Sequence, residues 1–130
     1  MHPTRRFGRC RLASPSGRST RRSSLDLTAR TTLPHLAAVL ARADVMVGND
    51  TGPLHLAAAL GRHALGLYPP IRPMHPGRWA PLGPHADFMV FDKPDCQDCR
   101  AKPAACTCIR AIQPAAVAAR VLVWMPFVNE

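Results

Sequence analysis

The residues of this chain that could do chemistry fall in three short stretches. The first is Gly48-Asn49-Asp50-Thr51-Gly52-Pro53-Leu54-His55. The apolar run Val45-Met46-Val47 precedes it and a small-residue helical run follows, which is the form of a strand–turn–helix. The start of a helix offers unpaired backbone N–H groups and the positive end of the helix dipole, and both suit a phosphate. Gly52 has no side chain, so phosphate oxygens can approach its backbone closely. Thr51 can cap the helix or donate its hydroxyl to a phosphate. His55, one turn into the helix, is placed to hydrogen-bond a phosphate or a sugar hydroxyl. Asp50 repels phosphate and is better suited to accept hydrogen bonds from sugar hydroxyls. A plainer reading uses the same residues: Asp-Thr-Gly is a common cap-and-turn signal, and a single helical histidine is more often structural than functional.

The second stretch is the proline-rich loop 69–84, which carries Arg72, His75 and Arg78. Arginine pairs well with phosphate, and the prolines stiffen the loop so that less entropy is lost when it holds a ligand. The alternative is a surface loop with solvated arginines and Trp79 packed as a lid. The third stretch is Cys96-x2-Cys99-x6-Cys106-x-Cys108. Four thiolates can hold Zn²⁺ tetrahedrally, although the second pair and the short gap do not match a common zinc ribbon. Any such metal is structural, because four cysteines leave no open position; reduced thiols or a local disulfide are the alternatives.

These side chains need elements to hold them. Leu25-Asp26-Leu27 reads as a short strand or the end of a loop. Thr32 and Pro34 open a helix whose apolar stripe is Leu33, Leu36, Ala37 and Leu40. Val45 to Gly48 reads as a buried parallel strand, 52–60 as a helix closed by Gly61, and Ala64 to Tyr68 as the next strand. The stretch 45–68 is thus a βαβ unit, expected to be right-handed. Phe88 to Phe91 is a further strand candidate, and a cysteine-bearing loop spans 92–112. Pro114 opens a last helix, with Ala115, Ala118 and Leu122 on one side and Val117 and Val121 beside them. Alternating strands and helices mean an α/β fold, in which ligands sit just outside the carboxyl ends of the strands. Both the Asn49–His55 turn and the proline-rich loop leave such ends. The run Ala57-Ala58-Ala59 lets the intervening helix lie close to the sheet.

From Leu25 to Leu67 the chain resembles the C-terminal domain of family 9 glycosyltransferases, the ADP-heptose:lipopolysaccharide heptosyltransferases and their relatives. The family's Asp-(Thr/Ser)-Gly-x-x-His-x-Ala motif is matched by Asp50, Thr51, Gly52, His55 and Ala57. The resemblance extends toward the final helix and covers most of residues 25–130. It implies the Rossmann-like C-terminal half of a GT-B fold, present here in part. It also implies a nucleotide-sugar donor of the ADP-heptose type and a lipopolysaccharide or other glycan acceptor. Thr51 and Gly52 would meet the diphosphate, Asp50 the sugar, and His55 would lie near the phosphates. No metal is required for catalysis in that family, and relatives often carry a comparable cysteine-rich stretch. Transfer inverts the anomeric centre, with a carboxylate base from an N-terminal domain. That domain has no counterpart in these 130 residues, so the acceptor site and base are expected to lie elsewhere, and the chain is expected to be truncated.

The formal net charge of +9 is concentrated at one end. Residues 1–24 carry Arg5, Arg6, Arg9, Arg11, Arg18, Arg21 and Arg22 and no acid, whereas the remainder is close to neutral. This Arg/Ser-rich tail is expected to be disordered, since it has too little apolar surface to offset the entropy of ordering. It also has the composition of a transit peptide, a non-specific nucleic-acid arm or a segment for anionic membrane surfaces. Residues 25–130 make up the domain. No apolar run reaches the length of a membrane span, and no signal peptide is evident, so a cytoplasmic setting is expected, extending to the inner face of the cytoplasmic membrane. Two other readings compete: a small basic nucleic-acid-binding protein with a cysteine metal knuckle, and a non-catalytic remnant. The near-neutral domain and its scarcity of aromatic residues count against specific nucleic-acid binding.

Overall fold

The computed structural model describes residues 24–71, 74–91 and 108–125. The chain forms α1 (Leu33–Arg42), β1 (Val45–Asn49), α2 (Gly52–Ala59), β2 (His63–Tyr68), α3 (Pro76–Trp79) and β3 (Ala86–Val90). A 3₁₀ turn at Ile109–Ala111 then leads to α4 (Pro114–Trp124). The arginine-rich tail up to residue 23 lies outside the described residues, as do Arg72, Cys96, Cys99 and Cys106.

Local chemistry accounts for most element ends. Thr32 caps α1, its hydroxyl accepting from the His35 N–H at 3.5 Å, and Pro34 sits in the first turn. Gly61, with φ +73°, lies just past α2, in the left-handed conformation that costs other residues most. Residues 25–27 form no strand. Asp26 Oδ1 accepts from the Thr28 N–H at 2.9 Å, and the Arg30 N–H donates to the Leu27 carbonyl, which folds the chain into a turn.

The sheet has three parallel strands in the order β1-β2-β3. Val45 pairs with His63 and Asn49 with Leu67; Ala64 pairs with Ala86 and Tyr68 with Val90. Strand alternation sends Ala64, Gly66 and Tyr68 to one face of β2, where α1 and α2 pack. The core there consists of Leu40, Leu54, Ala57, Ala58, Ala64 and Tyr68, flanked by Leu36, Met46, Ala86 and Val90. Ala57 and Ala58 are buried, so their small side chains do let α2 approach the sheet. Leu54 and Leu65 are fully buried, and each such leucine stabilises the fold by roughly 1.5–3 kcal/mol relative to exposure.

The opposite face meets α4. Trp124 stacks on His63 with ring centroids 4.9 Å apart, and Arg120 Nε lies 3.3 Å from Asp87 Oδ2. The residues of α4 that are partly covered are Val117, Val121 and Trp124, spaced i, i+4 and i+7. Of the residues named from the sequence, Ala115, Ala118 and Leu122 are exposed, and Val117 and Val121 beside them are the covered ones. The helix is apolar on nearly every side, so its periodicity carries little orientation. The aromatic stack and the ion pair set its rotation instead.

β1 also departs from expectation. It is partly exposed rather than buried, with Val47 at 38% exposure, because it is an edge strand among the described residues. β3 begins two residues earlier than the Phe88 start read from the sequence. Among the described residues no helix is long and apolar enough to cross a membrane.

Candidate functional site

The carboxyl ends of β1 and β2 carry the candidate site. After β1 the chain turns through Asp50 and Thr51 into α2, with Pro53 in the first helical turn. Thr51 holds the N-cap position but makes no side-chain cap. Its hydroxyl turns back to donate to the Asn49 carbonyl at 3.3 Å. Of the two roles foreseen for Thr51, the side-chain cap is not made. Pro53 has no N–H, and the Leu54 and His55 N–H groups donate to the Thr51 carbonyl at 3.0 and 3.4 Å, so the Gly52 N–H at the positive end of the helix is what this turn offers an anion. Gly52 is exposed, and a Cβ placed on it would meet nothing within 4 Å. The space in front of the helix start is open.

Asp50 and His55 come together across this turn. His55 Nε2 lies 3.1 Å from Asp50 Oδ1, with the two side chains 38% and 24% exposed. The sequence suggested separate duties for them, sugar for Asp50 and phosphate for His55. The structure brings them together: with its proton on Nε2 the imidazole donates to the carboxylate, and Nδ1 is then an acceptor. When the ring is protonated, the carboxylate balances its charge and the ring gains a second donor.

The loop after β2 is tied in by Tyr68. This residue ends β2 with its ring fully buried, while its hydroxyl donates to the Trp79 carbonyl at the end of α3. Burial, and secondarily the nearby Asp50 charge, push the phenol up to about 12 from an ordinary 10.0. Gly66 makes room for the ring: a Cβ there would overlap it and come within 3.0 Å of Leu54 Cδ2. Within α3, His75 Nδ1 accepts from the Gly77 N–H at 3.1 Å, so one of its nitrogens is used as a cap. The Arg78 guanidinium lies 5.2 Å over the Trp79 ring, a cation–π contact, and both residues are exposed. Neither His75 nor Arg78 is bonded to the Asp50–His55 pair.

Of the cysteines, Cys108 is described. It is buried with Ile71 against Phe91, an apolar setting rather than an open crevice. Among the described residues no group of three or more metal-ligating side chains is assembled. Tyr68 is the residue whose part in the site the sequence did not reveal. The available signal was a polar-tipped aromatic ending a buried strand at the crevice.

The family model for glycosyltransferase family 9 (heptosyltransferase) matches residues 12–109. A Haemophilus influenzae protein named "Putative glycosyltransferase" is 38% identical over 55 residues. That alignment covers 42% of this chain and 16% of the relative, so the chain corresponds to a small part of that protein's length. No solved structure gives a significant match.

Proposed function

The chain belongs to glycosyltransferase family 9, and from that premise we propose that it forms part of the donor-binding half of an enzyme that transfers a sugar from a nucleotide-sugar. The observation that carries this reading is the Asp50–His55 pair beside the uncapped amino end of α2, at the carboxyl end of β1. The Gly52 N–H and the positive end of α2 would receive the diphosphate, with the open space before Gly52 admitting its oxygens. Thr51 would release the Asn49 carbonyl and turn its hydroxyl to the phosphate. His55 would donate to a phosphate oxygen. Asp50, held by His55, would keep a free carboxylate oxygen for a sugar hydroxyl. Arg78, with Arg72 and His75, would add positive charge from the second loop.

The donor we assign is of the ADP-heptose type and the acceptor a lipopolysaccharide-type glycan, reached at the cytoplasmic face of the membrane that carries it. The acceptor and the catalytic base would come from a facing domain. Transfer would need no metal. Zinc at Cys96, Cys99, Cys106 and Cys108 would be structural, and chelation should leave donor binding intact.

The test is amide chemical-shift mapping with ADP. Shifts at Thr51, Gly52 and His55 are expected, and His55→Ala should weaken binding by about tenfold, the worth of one charge-assisted hydrogen bond. Absence of shifts at these residues with millimolar ADP sinks the reading.

A further inference from the structure

We propose that Tyr68 is the positioning residue that holds the Arg78-bearing turn of α3 against the Asp50–His55 turn, so that both loops meet one nucleoside diphosphate. The proposal rests on the donor-site reading above and assigns a residue that the motif does not include.

Three observations support it. Tyr68 is the last residue of β2 and is fully buried, with its ring against Leu54 of α2 and edge-on to Phe88 of β3 at 6.4 Å. The ring therefore has one orientation, fixed by the element that begins at the phosphate turn. Its hydroxyl donates to the Trp79 carbonyl, which closes the turn carrying Arg78. Gly66 is empty of side chain where this ring lies, so the strand is shaped around the phenol.

A buried ring alone would be served as well by phenylalanine. The hydroxyl adds a link from a rigid strand to a four-residue helical turn too short to hold its own position. Arg78 is otherwise stacked on its neighbour Trp79 and exposed, so its placement relative to Asp50 depends on where that turn is tied. Losing the link leaves the phosphate turn intact and lets the arginine wander, and each ligand contact then costs more entropy.

The experiment compares the full chain with its Tyr68→Phe variant by amide shift mapping with ADP and by amide hydrogen exchange. In the wild type, ADP should shift Arg78 together with Thr51, Gly52 and His55. In Tyr68→Phe the last three should still shift, the Arg78 response should collapse, and the dissociation constant should rise about fivefold, the worth of one hydrogen bond. Exchange at Trp79 and Ala80, whose N–H groups bond to His75 and Pro76 carbonyls, should accelerate by a similar factor while α2 is unchanged. An unaltered Arg78 response and affinity in Tyr68→Phe overturns the proposal and leaves the donor site standing. Absence of wild-type shifts at Thr51, Gly52 and His55 overturns both. Should Tyr68→Phe fail to fold, Arg78→Ala replaces it. That exposed change should weaken ADP about tenfold, and unchanged affinity overturns the proposal.

Discussion

Tyr68 is the chain's single tyrosine, so alkaline titration interrogates one phenol in one place. Burial and, to a lesser degree, the Asp50 charge raise its pKa from 10.0 to about 12. A raised value means that the folded state holds the proton more tightly than the unfolded chain does. The associated stabilisation is complete below pH 10 and is lost as pH climbs from 10 through 12. Each tenfold change in proton affinity is worth about 1.4 kcal/mol, so about 3 kcal/mol is at stake in all, about 2 kcal/mol of it between pH 10 and pH 12. That is a large share of the ~5–15 kcal/mol that holds a typical domain together. The assay follows tyrosinate absorbance and far-ultraviolet circular dichroism on the same samples. Phenol ionisation is expected to lag well above pH 10 and to coincide with loss of helix signal. Tyr68→Phe supplies the control: its unfolding free energy, measured in urea, should fall about 2 kcal/mol less than that of the wild type between pH 10 and pH 12. A reversible titration centred near 10 with the helix signal intact refutes the reasoning, because a phenol buried and bonded to Trp79 cannot ionise so cheaply.

Gly66→Ala should destabilise by about 1–3 kcal/mol in urea unfolding, since the new methyl overlaps the Tyr68 ring and presses on Leu54, both fully buried. Leu54→Ala removes a side chain with 0% exposure and should cost about 2–5 kcal/mol with an unchanged denaturant slope. Arg120→Ala breaks the ion pair to Asp87, whose partners are 51% and 32% exposed, and should cost under about 1 kcal/mol, less still in high salt.

Much of the frame was legible in the residues. Thr32 and Pro34 announced α1, Gly61 closed α2, and the apolar runs at 45–48 and 64–68 became parallel neighbours. The Asp50–His55 turn was found by its residue types and its place after a strand. Less legible was what each side chain would do once there. Thr51 donates back to Asn49, His75 caps its own short helix, and Asp50 and His55 hold one another. Such polar side chains have several partners within reach of the local backbone, and residue type alone does not choose among them.

The sequence by itself determined the turn, the helix caps and the α/β alternation, because these depend on φ/ψ preferences and hydrogen bonds within a few residues. Only the tertiary structure decided which faces meet. β1 proved partly exposed because it lies at an edge among the described residues, a matter of strand order that no strand encodes alone. α4 is apolar on nearly all sides, and its rotation was settled by Trp124 on His63 and Arg120 on Asp87, contacts between residues far apart in the chain. The link from Tyr68 to Trp79 likewise joins residues whose approach requires the sheet, α2 and the Gly66 gap to be in place first. Short-range sterics act on the unfolded chain already, whereas these long-range pairings form only after packing has brought their partners within a bond's reach.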